Sequence, residues 1–177
     1  DWGWRNRTTL DREVKKPEDV QGRKIRVPES PVWAEMIKAS GGAPTPGPFG
    51  EVYTALQQKT VDGQENPIPT IFSRKFYEVQ GFVAMTRHML QNNMIVINKD
   101  SLARLKPEHR EVLFAEAARA SAMNTYLQQK REASMLEDIR KSGRSKIVED
   151  VDRDAFAAKS KVVATAMEGR WGKAHLD

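Results

Sequence analysis

The amino-acid sequence predicts an α/β fold, and three observations support this prediction. Short strand-like runs, such as "KIRV" at residues 24–27, alternate with stretches whose apolar residues recur at helical spacing. Hydrophobic residues make up 39% of the 177 residues, which is enough to build a core. A long helical pattern runs from Pro107 to about Lys141 and ends at Gly143. This length suits one domain, or one domain and a fraction of another.

The first 60 residues predict a turn, a strand and two short helices. "KKPEDVQG" is typical of a turn or of a single helical turn that starts at proline. In the strand "KIRV", Ile25 and Val27 share one face and Arg26 lies on the other. Pro31 to about Lys38 predicts a helix that a glycine pair closes, and "GEVYTALQQK" predicts a second helix. The proline-rich "APTPGPF" between the two helices is expected to be extended.

The next 40 residues predict two or three further strands and one helix. "TVDGQENP" is expected to form a short strand or a turn, and "IPTIFSRKFYEVQ" a helix. "GFVAMTRHML" and "NNMIVINKD" predict strands, and Asn93 would open the second of them. The continuous apolar run at residues 94–97 is typical of a strand that is covered on both faces. A last helix is expected over residues 152–172.

The predicted long helix has two apolar patches separated by the polar stretch 128–132. The patches comprise Leu113, Ala117, Ala120, Met123 and Leu127, then Met135, Leu136 and Ile139. Such a helix could leave one core and enter another. Alternatively, it could pack on a single core with an exposed loop over its middle. Periodicity does not decide between these two arrangements.

Composition narrows the classes of function. The net charge is +5, but 29 basic and 24 acidic residues are interspersed, which favours a mixed solvated surface over a nucleic-acid-binding one. The absence of cysteine excludes disulfides, thiolate metal sites and cysteine nucleophiles. No run approaches the roughly 18 apolar residues that a membrane-spanning helix needs, so we expect a protein that is not embedded in a membrane. The chain starts without Met or a signal peptide, and we expect a mature fragment or a truncated chain.

Enzyme signatures are mostly missing from the sequence. The three histidines lack the spacing of a zinc site, and the glycines of "SGGAPTPGPFG" form neither a phosphate loop nor a dinucleotide fingerprint. There is also no G-x-S-x-G nucleophile motif. We therefore predict no catalytic residue, no metal and no cofactor.

Five residues near the ends of predicted elements are candidates for a binding site: Arg5, Arg26, Asn66, Asn93 and Phe49. Taken singly, each is better explained by structure: a solvated arginine, a turn residue, a strand-end cap or a core aromatic residue. Together, arginines and amides at element ends would suit a cleft that binds a carboxylate. A guanidinium pairs with a carboxylate through two parallel hydrogen bonds.

Three stretches of the sequence resemble one known family. "GRKIRVPES", "PTPGPFGEVYTALQQKTVDGQENP" and "KFYEVQGFVAMTRH" resemble the solute-binding proteins of TRAP transporters, the DctP-like family, and the likeness runs through nearly the whole chain. The resemblance implies a periplasmic-binding-protein-like fold: two α/β domains, a cleft between them and a long helix that crosses both. It therefore favours the two-core arrangement of residues 107–141.

The resemblance also implies a division of the chain. Family members are nearly twice as long, so the N-terminal domain would be largely missing here. Residues 1–91 and 133–177 would form the C-terminal α/β cleft domain. Residues 92–132 would contribute a strand and half of the long helix to the otherwise missing domain.

By the same resemblance, Arg26 in "KIRVP" makes a bidentate salt bridge with the ligand's carboxylate. Arg5, in the upstream "GWR", is a second carboxylate contact, and Asn66 in "QENP" hydrogen-bonds the carboxylate. Phe49 packs against the ligand.

Glu29 and Asn93 lie at positions that often touch the rest of the ligand and that vary among family members. The expected function is therefore that of the periplasmic solute-binding subunit of a TRAP transporter. It would capture an organic acid through a carboxylate–arginine salt bridge, close about a hinge and hand the acid to the membrane permease. The acid could be a dicarboxylate, a keto acid, sialic acid or a sugar acid.

Two alternatives belong to other classes. One is a ligand-sensing domain of the same fold that feeds a signalling receptor. The other is an enzyme that uses Glu65 or Glu29 as a base.

Overall fold

The protein is described by a computed structural model that covers residues 2–171, and its architecture confirms the α/β class. Residue 172 and the rest of the C-terminal end of the predicted cleft domain lie outside the described residues. Six strands form one sheet in the order β3-β2-β4-β1-β5-β6. The strands are β1 (Gly3–Thr9), β2 (Lys24–Val27), β3 (Ala43–Pro46), β4 (Gly63–Pro67), β5 (Phe82–Gln91) and β6 (Lys146–Val148). The helices are α1 (Pro31–Ala39), α2 (Val52–Gln57), α3 (Ile68–Ser73), α4 (Lys99–Ala103), α5 (Pro107–Ser142) and α6 (Arg153–Trp171).

The strand directions bring several chain ends to one edge of the sheet. β2 is parallel to β3 and to β4, and β5 is parallel to β6. β1 lies between β4 and β5 and is antiparallel to both. The carboxyl ends of β2, β4 and β5 therefore lie at the same edge as the amino end of β1. Ligands of open α/β sheets bind beyond the carboxyl ends of the strands, so this edge is where a site is expected.

Helices cover both faces of the sheet. On one face, α2, α3 and the C-terminal part of α5 bury Leu56, Ile71 and Ile139 against β5. On the other face, α1 and α6 pack on β2, β5 and β6 through residues that include Ile37 and Phe156. The sheet is thus the middle layer of three, as an α/β domain requires.

Helix boundaries follow their sequence signals closely. α1 begins at Pro31, and Gly41 follows its end with a φ of 84°. α5 begins at Pro107, and Gly143 ends it with a φ of 63°, as glycine C-caps commonly do. The helix predicted for "IPTIFSRKFYEVQ" is divided into α3 and a 3-10 turn at Phe76–Glu78, because Lys75 between them is left-handed, with a φ of 57°.

Four elements differ from the sequence prediction. The strand predicted at "NNMIVINKD" is wrong: residues 92–98 have no regular structure and pair with no strand among residues 2–171. β1 was not predicted, and neither were β6 and α4. A strand needs a neighbour for its backbone hydrogen bonds, and the described residues supply one to β1 but none to residues 92–98.

The two apolar patches of α5 have different surroundings. Its C-terminal patch, with Met135, Leu136 and Ile139, packs on the core beside α3. Within residues 2–171, nothing covers the N-terminal patch, where Leu113 is 38% and Met123 57% exposed. The apolar residues of the 94–97 segment are also exposed, with Met94 at 86% and Val96 at 81%. We refer to residues 94–97 and the N-terminal half of α5 as the exposed apolar face.

Candidate carboxylate-binding site

An open cavity of about 280 Å³ lies at the edge where the carboxyl ends of β2, β4 and β5 meet. Its walls include five of the six residues predicted from the sequence. The lining residues are Trp2, Arg5, Arg26, Pro28, Phe49, Asn66, Thr70, Gln91 and Asn93. Other depressions on this protein are equally large. Two buried guanidinium groups distinguish this one.

Arg26 is held in the cavity wall by its strand and by one carbonyl group. Ile25 and Val27 are fully buried against Ile37, so alternation along β2 places Arg26 on the opposite face of the sheet. Arg26 is only 5% exposed, so it is not a solubilising surface charge. Its Nε and Nη2 donate hydrogen bonds to the Gly47 carbonyl oxygen at 3.0 and 2.5 Å. Its Nη1 has no hydrogen-bond partner among residues 2–171.

Neighbouring charges act on Arg26 in both directions. Burial lowers the pKa of the Arg26 guanidinium, the carboxylates of Glu65 and Glu29 raise it, and the Arg5 charge lowers it. An arginine nevertheless remains protonated in a protein. Arg26 forms no ion pair within residues 2–171. The cavity wall therefore carries a positive charge without a contacting acid.

Arg5, in contrast, forms hydrogen bonds through all three of its guanidinium nitrogens. It is 2% exposed, and its Nε and Nη2 donate to the two carboxylate oxygens of Glu65, the Nη2 bond being 2.6 Å long. Nη2 also donates to Asn66 Oδ1 at 3.2 Å, and Nη1 donates to the side-chain oxygen of Gln91. These contacts from β4 and β5 fix the Arg5 guanidinium at the cavity wall.

Glu65 also contacts His88. Glu65 is fully buried, and its Oε2 lies 3.2 Å from His88 Nε2. Burial lowers the pKa of His88 to about 4, against the opposing effect of Glu65, so the imidazole is neutral at pH 7. Its Nε2–H then donates to Glu65, and its Nδ1 accepts from the Thr86 hydroxyl at 2.7 Å. Burial alone would raise the pKa of Glu65, but the His88 hydrogen bond and the charge and hydrogen bonds of Arg5 hold it below its usual value.

A bulge in the sheet sets the position of His88. Arg5 pairs with Met89 and Arg7 with Ala84, so Asn6 alone faces residues 85–88 of β5. The Asn6 side chain fills this irregularity, because its Oδ1 accepts the backbone N–H of Arg87 at 3.1 Å. Arg87 itself is left-handed, with a φ of 43°. Bulges of this kind are common beside functional sites, where they redirect side chains.

Asn66 and Phe49 also line the cavity. Asn66 is 5% exposed, and its Nδ2 donates to Gln64 Oε1 at 2.5 Å. Phe49 is 41% exposed and packs edge-to-face on Phe76, with 6.3 Å between the ring centroids. The cavity thus joins amide and guanidinium groups to one partly exposed aromatic ring.

Of the remaining two predicted residues, Asn93 and Glu29, only Asn93 lines the cavity. Asn93 lines the cavity and accepts a hydrogen bond from Gln91 Nε2 at 3.2 Å, although it lies in the irregular segment and opens no strand. Glu29 is exposed and does not line this cavity. Its charge raises the pKa of Arg26, against the larger effect of burial.

Sequence reasoning missed several residues of the site. Glu65 was considered only as a base, and its pairing with Arg5 and His88 was not predicted. Trp2, whose Nε1 donates to Thr70 Oγ1 at 2.8 Å, was not singled out either. The "GQENP" stretch has no apolar alternation, yet all five residues of β4 are buried. A charged residue inside such a strand could have signalled a buried ion pair, because a buried charge is costly unless it is paired.

A third buried arginine, Arg7, does not line the cavity. Arg7 is 1% exposed, its Nη2 donates to Ser40 Oγ at 2.9 Å and its guanidinium carbon lies 4.8 Å from the Phe156 ring centroid. Its Nε and Nη1 have no partner among the described residues, and burial lowers its pKa to about 10. The Arg7 charge contributes to the low pKa of His88.

Comparison with known proteins identifies the family of this chain. The model of bacterial extracellular solute-binding proteins, family 7 (DctP), matches residues 1–169. The chain belongs to this family. It is a family of solute-binding transport proteins rather than of enzymes.

Relatives of this DctP-family chain include named binding proteins. It is 37% identical to the 2,3-diketo-L-gulonate-binding periplasmic protein YiaO of Escherichia coli, over 88% of this chain and 47% of that protein. It is also 37% identical to the sialic acid-binding periplasmic protein SiaP of Vibrio cholerae, over 77% of this chain and 42% of that protein.

Solved structures agree with the fold. A TRAP periplasmic solute-binding protein from Polaromonas, bound to D-erythronate, matches with a TM-score of 0.93 and 32% identity, over 98% of this chain and 57% of that one. A Shewanella oneidensis protein with bound succinate matches with a TM-score of 0.91 and 29% identity, over 97% and 57%. The chain spans about half the length of the curated relatives that it matches.

Proposed function

We propose that this DctP-family chain belongs to the periplasmic solute-binding subunit of a TRAP transporter and that its cavity captures the carboxylate of an organic acid. The observation that carries this proposal is the charge of the cavity wall. Arg5 is balanced by Glu65, whereas buried Arg26 has no contacting acid among the described residues. A bound carboxylate would supply the missing counter-charge.

The donors of Arg26 suit a bidentate contact. A guanidinium has five N–H donors, and the Gly47 carbonyl takes those of Nε and one of Nη2. Both N–H groups of Nη1 and the second one of Nη2 remain. One N–H from each of these two nitrogens lies on the edge that pairs with a carboxylate in two parallel hydrogen bonds. The Gly47 carbonyl also orients this edge, which lowers the entropy cost of binding.

The enzyme alternative is less well supported by the geometry. Glu65, a candidate base, is fully buried and already bonded to Arg5 and His88, which hold its pKa below the usual value. A general base works best with a pKa near the working pH.

We further propose that residues 92–132 pack on a second domain and that ligand capture closes the two domains about a hinge. The exposed apolar face supports this proposal, together with the greater length of the relatives. Large apolar patches are rare on monomeric proteins and usually mark an interface. Residues 1–91 and 133–177 would then form the cleft domain, the part of α5 from about residue 133 onwards being packed on its core.

Residues 1–177 produced alone are expected to self-associate, because the exposed apolar face would find cover in a second molecule. Sedimentation velocity would measure this, and Phe114→Glu, at a position 57% exposed on that face, should reduce the association. Val162→Glu, at a position 60% exposed on α6, is the matched control. A monomer that melts cooperatively would contradict the second-domain proposal.

Partner and location follow from family membership as further parts of the proposal. The relatives YiaO and SiaP are named as periplasmic proteins, and a TRAP permease would receive the closed, loaded protein. No helix within residues 2–171 is long and apolar enough to cross a membrane. Among the same residues, no group of three histidine, aspartate or glutamate side chains could hold a metal ion.

Calorimetric titration of the full natural chain tests the proposed function. We expect at least one acid among succinate, D-erythronate and D-galacturonate to bind with 1:1 stoichiometry and no turnover. In stopped-flow measurements, the association rate of that acid should fall as the salt concentration rises, since positive charge attracts the anion. D-Galactose, which lacks a carboxylate, is the matched control and should give no saturable heat. Binding of D-galactose as tightly as D-galacturonate would contradict carboxylate recognition.

A further inference from the structure

We propose that Arg74 positions the ring of Phe49 for ligand binding, so that Arg74 sets part of the affinity without lining the carboxylate cavity. This inference rests on the proposed function, because it assumes that an organic acid occupies the cavity beside Phe49. Arg74 is therefore a positioning residue rather than a contact for the acid.

Phe49 is held by few contacts. Its ring is 41% exposed and touches Phe76 only edge-to-face, with an interplanar angle of 75°. The ring lines both the carboxylate cavity and a neighbouring depression of about 290 Å³. Arg74 lines that depression and not the cavity. Phe49 thus belongs to both depressions, and its orientation depends on the groups that contact it from each.

The Arg74 guanidinium contacts the Phe49 ring. Its guanidinium carbon lies 5.2 Å from the Phe49 ring centroid, within the range of a cation–π contact. The Arg74 side chain forms no hydrogen bond or ion pair within residues 2–171. The adjacent Lys75, in contrast, pairs with Glu78 at 3.4 Å. Arg74 is also well placed, because its backbone N–H donates to the Thr70 carbonyl oxygen at the end of α3.

A second cation contacts the same ring. The guanidinium carbon of Arg26 lies 5.9 Å from the Phe49 centroid, on the side of the carboxylate cavity. Two cations on one ring both orient it, but they also repel each other. A carboxylate bound to Arg26 would offset this repulsion. Ligand binding and the contact between Arg74 and Phe49 should therefore favour each other.

A fluorine label tests the contact without any ligand. With 4-fluorophenylalanine at position 49 of the full natural chain, Arg74→Met should shift the ¹⁹F resonance, because it removes the charge beside the ring. Lys75→Met removes the same charge from the neighbouring residue and should shift the resonance much less. Equal shifts in the two variants would overturn a specific contact between Arg74 and Phe49.

Affinity then tests the consequence, using whichever of succinate, D-erythronate and D-galacturonate has the lowest Kd. Arg74→Met should raise this Kd about two- to fivefold, the equivalent of one exposed cation–π contact. Arg74→Lys should raise the Kd less than Arg74→Met does, and Lys75→Met should leave the Kd nearly unchanged. In a Phe49→Leu background that still melts normally, Arg74→Met should have no further effect, since Arg74 acts through the ring.

The outcomes separate the two proposals. If no acid binds the unmodified protein, the proposed function is overturned, and the inference that rests on it falls with it. If an acid binds but Arg74→Met matches the unmodified protein, only the role of Arg74 is overturned. An equal loss in the Phe49→Leu background would show that Arg74 acts by charge alone, which also contradicts positioning through the ring.

Discussion

Arg26→Lys in the full natural chain is expected to weaken organic-acid binding by about 2–4 kcal/mol. Lysine keeps the positive charge but cannot reproduce the planar fork that the Gly47 carbonyl orients towards the cavity. Because the position is 5% exposed, solvent offers the bound carboxylate little compensation for the lost hydrogen bond. Isothermal titration calorimetry with the acid of lowest Kd would measure the change.

Arg23→Lys is the matched control for this variant. Arg23 immediately precedes β2, and its Nη1 lies 3.1 Å from Asp11 Oδ1 in a solvated ion pair away from the cavity. The same chemical change there should leave the affinity unaltered. If Arg26→Lys binds as tightly as the unmodified protein at an equal melting temperature, Arg26 does not hold the carboxylate.

Glu65→Gln is expected to lower the free energy of unfolding by about 3–5 kcal/mol, the usual cost of removing one partner of a buried ion pair. Glutamine has nearly the same shape, so packing is preserved and the loss comes from charge. Arg5 would remain buried at 2% exposure without a counter-charge, and His88 would lose its ionised acceptor. Urea unfolding monitored by circular dichroism would measure the change in stability.

Glu35→Gln provides the comparison on the surface. Glu35 pairs with Lys38 at 2.8 Å on the exposed side of α1, where a single ion pair contributes about 0–1 kcal/mol. A Glu65→Gln variant that unfolds within 1 kcal/mol of the unmodified protein would contradict a stabilising role for the buried pair.

Local sequence signals predicted the elements that depend on local physics. Proline at the start of α1 and α5 and glycine after their ends set boundaries that the structure reproduces within a few residues. The alternation of "KIRV" predicted that Ile25 and Val27 would face the core and Arg26 the opposite side, as the structure shows. The cavity also brings together five of the six residues that the family resemblance indicated, namely Arg5, Arg26, Asn66, Phe49 and Asn93, but not Glu29.

Local signals of this kind did not predict strands that are made of polar residues. The β1 sequence "GWRNRTT" has no apolar alternation, yet β1 is a central strand in which residues 5–9 are buried. Arg5 and Thr8 form side-chain hydrogen bonds with residues at least 60 positions away, as when Thr8 Oγ1 donates to Gln80 Oε1 at 2.9 Å. Only the folded sheet brings such partners together, so no local pattern could reveal the strand.

Local sequence patterns were enough to predict the α/β class, the ends of the principal helices and the face of β2 that carries Arg26, because turns, caps and side-chain alternation act over a few residues. The tertiary structure decided that residues 94–97 form no strand, that polar β1 occupies the middle of the sheet and that Glu65 joins Arg5 to His88. Each of these outcomes depends on whether a distant segment supplies a hydrogen-bond or charge partner. That is a property of the whole folded chain and not of any window within it.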